Sequence, residues 1–240
     1  MALERTPKVL SIGPSGIDWD GRTLRFRIDE RCFPLPVRLR GEVRFTPGSG
    51  GAGLHELDTQ GRHQWRPLAP QGRVDVEFDS PRRRWSGNAY FDCNRGSEPL
   101  EGAFRGWNWS RWQLADGVLL HYAVDRRDAE PLSLLLRMDR NGRVERLAPR
   151  PSQRLPGSGW RIARHAYADA GATPAVLRTL VDAPFYARSV VSTSFEGRRI
   201  TGLHESLSLD RFASRWVQAL LPFRMPRRAG AKPAPQPGGS

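Results

Sequence analysis

Lysine is nearly missing from this chain: of its 38 Lys and Arg residues only Lys8 and Lys232 are lysines, and the rest are arginine. Cysteine is as scarce, with Cys32 and Cys93 alone. Two thiols without metal-type spacing, and no signal peptide in "MALERTPKVL", exclude a disulfide scaffold and fit a reducing cytoplasm, where each thiol is expected to be ordinary buried packing. No uncharged apolar run approaches the roughly 20 residues of a membrane span. Five histidines (His55, His63, His121, His165, His204) include no pair at a ligand spacing, which argues against a metal site. There is no G-x-S-x-G elbow, and the glycines of "GPSG" and "GSGGAG" match no phosphate-binding loop, so serine hydrolases and nucleotide-binding enzymes drop out. The net charge of +13 permits nucleic-acid binding or attraction to an anionic membrane. No nucleic-acid motif accompanies it, and much of the arginine alternates with apolar residues as a solvated face, so no nucleic-acid partner is expected.

What the chain has in quantity is period-two alternation. Leu24, Phe26 and Ile28 oppose Arg25, Arg27 and Asp29; Val74, Val76 and Phe78 oppose Arg73, Asp75 and Glu77. Val118, Leu120, Tyr122 and Val124 form another apolar face, and Leu132, Leu134, Leu136 and Met138 a further one. These are strands, punctuated by "DWDG", "PGSGGAG", "DRNGR" and "FEGRR", with Asn141-Gly142 at the tip of the clearest hairpin. Further strands are expected near 160–167, 175–181, 186–195 and 199–207. One short C-terminal helix is expected in "SLDRFASRWVQALLPF", capped by Ser208 or Asp210, with Phe212, Trp216, Val217 and Leu220 on one face and Pro222 at its end. The last twelve residues, "AGAKPAPQPGGS", are too poor in apolar groups to pack. The fold class is therefore mainly β, of the barrel or sandwich kind whose mouth commonly holds an apolar ligand.

The stretch "WSGNAYFDCNRGSEPLEGAFRGWNWSRW" sets an isolated acid, Asp92, among rings: Trp85, Tyr90, Phe91, Phe104, Trp107, Trp109 and Trp112. Tyr90 and Asp92 stand at i and i+2, so on a strand both emerge on one face. His63 and Trp65 in "RHQWRP" share that spacing, and a hairpin-sized interval separates the two pairs. Side by side they would form a patch of tyrosine, acid, imidazole and indole. An acid against aromatic walls is desolvated and keeps its proton, and π-faces stabilise a cation formed when that proton goes to carbon. Protonation of an alkene needs such a donor and such a box. The alternative is that Asp92 caps a turn beside Asn94 and Gly96 while the rings fill a core, and spacing alone leaves both open.

At these residues the chain resembles the carotenoid 1,2-hydratases (hydroxyneurosporene synthases) of photosynthetic bacteria, from "LSIGPSGIDWDG" through "WSGNAYFDCNRGSEPLEGAFRGWNWSR" and "DAPFYARSVV" to "LHESLSLDRFASRWVQALLPFRMP". The resemblance implies a lyase that adds water across the terminal 1,2 double bond of an acyclic carotene such as lycopene or neurosporene, without a cofactor. It puts the catalytic acid on Asp92 and its supporting residues on His63, Trp65 and Tyr90. Trp85, Phe91, Trp107 and Trp109 are the candidate substrate-binding rings. It also implies a lipocalin-like architecture in two β halves, read here as 1–125 and 126–226 with a tail at 227–240, and an aromatic-rich segment ahead of "LSIGPS" that would complete the first half. Where the family pattern has an aromatic, this chain has Arg95, and where it has an acid, Ser97. A guanidinium beside Asp92 would oppose its protonation, although three positions along a strand place Arg95 on the other face. The expected partners are an acyclic carotene and, peripherally, a cytoplasmic membrane face. A lipocalin-like carotenoid- or isoprenoid-binding protein without chemistry is the competing reading, separable by turnover.

Overall fold

In a computed structural model, residues 3–32, 35–48, 50–148 and 152–221 are described. The first sheet comprises β1 (Leu3–Arg5), β2 (Val9–Ile12), β3 (Ser15–Trp19), β4 (Leu24–Arg31), β5 (Arg38–Pro47), β6 (His55–Glu56), β7 (His63–Ser80) and β8 (Arg82–Gly96). A helical turn, α1 (Leu100–Ala103), leads to β9 (Phe104–Gln113), β10 (Gly117–Arg126), β11 (Leu132–Asp139) and β12 (Val144–Leu147). Next come β13 (Gln153–Leu155) and β14 (Arg164–Ala166), a separate two-stranded sheet, and then β15 (Ala175–Asp182), β16 (Tyr186–Phe195) and β17 (Arg198–Ser208). The chain described here closes with α2 (Leu209–Phe212) and α3 (Arg215–Leu220).

The second sheet runs β12-β11-β10-β9-β17-β16-β15, so β17 returns to lie against β9. The first runs β1-β2-β3-β4-β5-β7-β6, with β8 on the other edge of β7. Among the described residues neither sheet closes into a barrel. The mainly β, lipocalin-like expectation holds in its open form, with sheets packed face to face.

Alternation explains that packing. Val118, Leu120, Tyr122 and Val124 of β10 and Leu134, Leu136 and Met138 of β11 bury against Trp65, Ala52 and Leu57 of the first sheet and its loops. The opposite face of the second sheet, with Trp112, Leu119, Leu135, Val191 and Phe195, is covered by Leu155, Ala166 and Tyr167. Residues of β10 are therefore buried on both faces, which is why that strand reads "GVLLHYAV" with little polar alternation. The hairpin of β7 and β8 is unusually long, and its register shifts between Pro67 and Ala69 and again between Ala69 and Gly72. Bulges of this kind bend a strand, here separating the end at Trp65 that faces the second sheet from the end that pairs with β5. At the bend Gly72 is required, because a Cβ would lie 2.6 Å from the Phe45 ring.

Four expectations need correction. The C-terminal helix is two short pieces: Ser208 Oγ caps α2 as expected, but Ser214 is extended and its hydroxyl donates to the Arg211 carbonyl at 2.6 Å, competing with the helical bond there. Its apolar face is only partly used, since Val217 is buried whereas Trp216 and Leu220 are exposed. The strand near 160–167 is reduced to Arg164–Ala166, because Arg161 adopts φ 58° and its N–H turns back to the Ser158 carbonyl. Cys32 and Cys93 are both exposed rather than buried. Pro222 and the C-terminal tail lie outside the described residues.

Gly202 of β17 lies where β17 meets β9, and a Cβ there would fall 2.0 Å from the Arg111 carbonyl oxygen and 2.7 Å from the Trp112 Cα. Gly202→Ala is therefore expected to cost about 2 kcal/mol and to lower the thermal midpoint by several degrees in a circular-dichroism melt. Gly53→Ala, where a Cβ meets nothing within 4 Å, serves as the neutral control. Equal midpoints for the two variants would refute this account of the β9–β17 contact.

Candidate active site

Antiparallel pairing of β7 with β8 sets Trp65 opposite Asn94 and Pro67 opposite Asp92. The Trp65 side chain thus lies diagonal to Asp92, and its indole Nε1 donates to Asp92 Oδ2 at 2.8 Å. Tyr90, two residues before Asp92 on the same face, donates its hydroxyl to the same Oδ2 at 3.0 Å. No other side chain among the described residues donates to this carboxyl. Asp92 sits in the middle of β8, half-buried, and caps no turn.

The second sheet closes the box. Tyr122 meets Trp65 edge-on at 5.0 Å between centroids, Trp107 meets Tyr122 edge-on at 5.8 Å, and Trp109 lies tilted on Tyr90 at 4.8 Å. Burial pushes the Asp92 carboxyl above the usual carboxylate range. The indole and phenol hydrogen bonds pull the other way without cancelling it, and the negative charge of Glu205 adds to the upward push. Burial and the neighbouring Asp92 likewise push the Tyr90 phenol up, so it remains a hydrogen-bond donor. The arrangement is a desolvated carboxyl with Oδ2 held by two side-chain donors and walled by π-faces.

Of the four residues expected to form one patch, Trp65, Tyr90 and Asp92 meet, and His63 stands apart. It is opposite Gly96, four residues along β7 from Pro67, or about 13 Å down the strand from the Asp92 pair. Its ring is buried, with Nδ1 3.0 Å from Asp58 Oδ2 and Nε2 3.1 Å from the Glu98 carbonyl, and it packs on Phe104. Burial opposes ionisation of Asp58, but the N–H groups of Gln60, Arg62 and His63 and the His63 ring outweigh it and hold that carboxyl below its ordinary value. Arg95 does lie on the other face, where its Nε donates to Gln64 at 2.6 Å.

The candidate substrate rings divide in the same way. Trp109 is buried in the cluster. Trp107 links Tyr122 to a groove of about 580 Å³ that Val124, Leu207 and Ile162 also line and Arg161 and Arg211 flank. Phe91 packs on Phe45 at 5.6 Å, and Trp85 is 51% exposed opposite Val76, far along the hairpin. Sequence reasoning missed Tyr122, which reads as an ordinary core position, and Glu205, which alternation puts on the same face as Leu203 and Leu207 although it carries a charge. Sequence reasoning also missed Asp58, for which the turn-forming composition of "DTQGRH" is the available signal. His121 and His204 lie on the far face of the second sheet, where burial pushes them down to about 4 and about 3. Among the described residues no group of three His, Cys, Asp or Glu side chains gathers as a metal cage.

Residues 1–234 match the family model described as "Carotenoid hydratase CrtC". Proteins named "Acyclic carotenoid 1,2-hydratase" are 48% identical over 230 residues in Thiocapsa roseopersicina, 41% over 229 in Rubrivivax gelatinosus and 38% over 230 in Cereibacter sphaeroides. Each alignment covers 95% of this chain, and 57%, 56% and 82% of the respective relatives, so the chain spans little more than half the length of the first two. Among solved structures, a putative AttH protein from Nitrosomonas europaea superposes with a TM-score of 0.57 at 16% identity, over 83% of this chain and 69% of the other. That likeness shows the fold.

Trp65→Phe keeps the ring and removes one of the two donors that favour the ionised Asp92. The carboxyl is then expected to titrate at higher pH than in the natural chain in a carbon-detected NMR titration of the side chain. Tyr90→Phe should move it the same way. A downward shift in either variant would contradict the geometry described.

Proposed function

The chain belongs to the carotenoid hydratase family, and on that footing we propose that it is a hydro-lyase adding water across the 1,2 double bond of an acyclic carotene such as lycopene or neurosporene. The observation that carries this reading is the half-buried Asp92 carboxyl, pinned through Oδ2 by Trp65 and Tyr90 inside an aromatic box. An acid held protonated near neutrality is what an unactivated alkene requires, since a hydrocarbon offers no heteroatom to polarise.

In this mechanism Asp92 delivers its proton to C2, and the electron pair of the double bond forms the new C–H bond. The tertiary cation left at C1 is stabilised by the π-faces of Trp65, Tyr90 and Trp109 and by the carboxylate just generated. Water then forms a bond to C1 and loses a proton, leaving a 1-hydroxy-1,2-dihydro product. Every proton moved belongs to Asp92 or to water, so the reading calls for no cofactor. His63 serves by position: its bonds to Asp58 and Glu98 fix the start of β7, from which Trp65 projects.

A fully apolar substrate is drawn from lipid, and peripheral membrane contact is part of the reading. Trp160 and Trp216, 6.4 Å apart and exposed, stand with exposed Leu220, Leu221 and Arg215 on the surface beside the Trp107 groove, and support it. No helix among the described residues is long and apolar enough to cross a membrane.

Expressed in cells that accumulate lycopene, the natural chain is expected to give the singly hydrated product by chromatography and mass spectrometry. Asp92→Asn, nearly isosteric but unable to act as the acid, should lower it by roughly 10²-fold or more. Hydration at the natural rate by a folded Asp92→Asn variant would rule out this donor.

A further inference from the structure

Beside the aromatic box is a second acid that the mechanism above leaves unused. Across four neighbouring strands the register places Tyr122 (β10), Trp109 (β9), Glu205 (β17) and Arg188 (β16) in one row. Tyr122 and Trp109 belong to the core between the sheets, so the Glu205 side chain leaves β17 towards that same interior. The Glu205 side chain is only 17% exposed and is fixed from its outer side by Arg188, whose Nε and Nη2 lie 2.8 and 2.5 Å from Oε1. Both contacts end on Oε1, and the Tyr186 hydroxyl, which accepts from Arg188 Nε at 3.0 Å, is also hydrogen-bonded to this carboxylate. Its charge is felt inside the box, acting on both Asp92 and Tyr122.

Opposite Glu205, the indole N–H of Trp109 is buried and makes no well-aligned hydrogen bond among the described residues. The same ring lies on Tyr90, whose hydroxyl oxygen is at most a poorly aligned acceptor for that N–H and is itself one hydrogen bond from Asp92. A buried donor without a partner costs about 1–3 kcal/mol unless something accepts from it. A hydrocarbon cannot accept, and a water can. A fixed carboxylate one strand away supplies the acceptor for that water's own proton.

We propose that Trp109 and Glu205 form the site of the attacking water: the Trp109 N–H donates to its oxygen, and the Glu205 carboxylate accepts its hydrogen and acts as general base. This rests on the reading of Asp92 as proton donor and adds a second carboxyl to it. Asp92 gives its proton to C2; as the water oxygen bonds to C1, its O–H bond breaks and the proton passes to Glu205. The sum is one water added, and a proton returns from Glu205 to Asp92 through solvent before the next turnover. Two acids with divided roles separate protonation of the alkene from capture of the cation.

The division yields a test in deuterated water with lycopene. Glu205→Gln leaves Asp92 able to deuterate C2 while slowing capture, so the cation should revert by losing a proton. Hydrated product is expected to fall by roughly 10²-fold, while unreacted lycopene gains deuterium by mass spectrometry. Glu205→Asp should recover part of the hydration. Trp109→Phe, which keeps the ring and loses the N–H, should show the same pattern more weakly and carries the test if Glu205→Gln melts early. Natural hydration in Glu205→Gln, or equal loss of hydration and exchange in variants with natural melting points, overturns the proposal. Asp92→Asn separates the two readings. It should show neither hydration nor exchange, and exchange there would remove the donor itself.

Discussion

The interaction on which the rest depends is the grip of Trp65 and Tyr90 on a single oxygen of Asp92 in the layer between two sheets. Moving a carboxyl out of water favours its neutral form, while every hydrogen bond to it favours the charged form. Burial wins here, raising the carboxyl above its ordinary range. The two donors do a second thing that burial cannot: they fix which oxygen accepts and so orient the carboxyl.

Supporting structure can be traced outward from that grip. Trp65 is placed by the start of β7, anchored through the buried His63–Asp58 pair, and by the bulges that turn this end of the hairpin towards the second sheet. Tyr122 and Trp109, neighbours across β9 and β10, press on Trp65 and Tyr90. The same layer serves as hydrophobic core and as the wall of the site. An aromatic side chain suits both uses, since it excludes water through its area and meets positive charge with its face.

Polar groups at the edge of this layer are ordered by strand register. The row from Tyr122 to Arg188 passes from apolar core to ion pair within a few strand spacings, so a hydrocarbon-lined interior and a hydrophilic flank are adjacent.

Period-two alternation marked β4, the far half of β7, β10 and β11 from the sequence alone, since a strand buried on one face leaves that pattern whatever it packs against. The i, i+2 spacing of Tyr90 and Asp92, and of His63 and Trp65, likewise put each pair on a common face, because side-chain direction along a strand is local geometry. The tertiary structure decided which faces meet. The register of β7 on β8 brought Trp65 to Asp92 and left His63 four residues away, and pairing of β17 with β9, nearly a hundred residues apart in the chain, put Glu205 beside Trp109. Register and sheet order are set by long-range hydrogen bonding and packing, so a carboxylate that shares the face of Leu203 and Leu207 in "LHESLS" meets its neighbours Trp109 and Arg188 only once the second sheet is assembled.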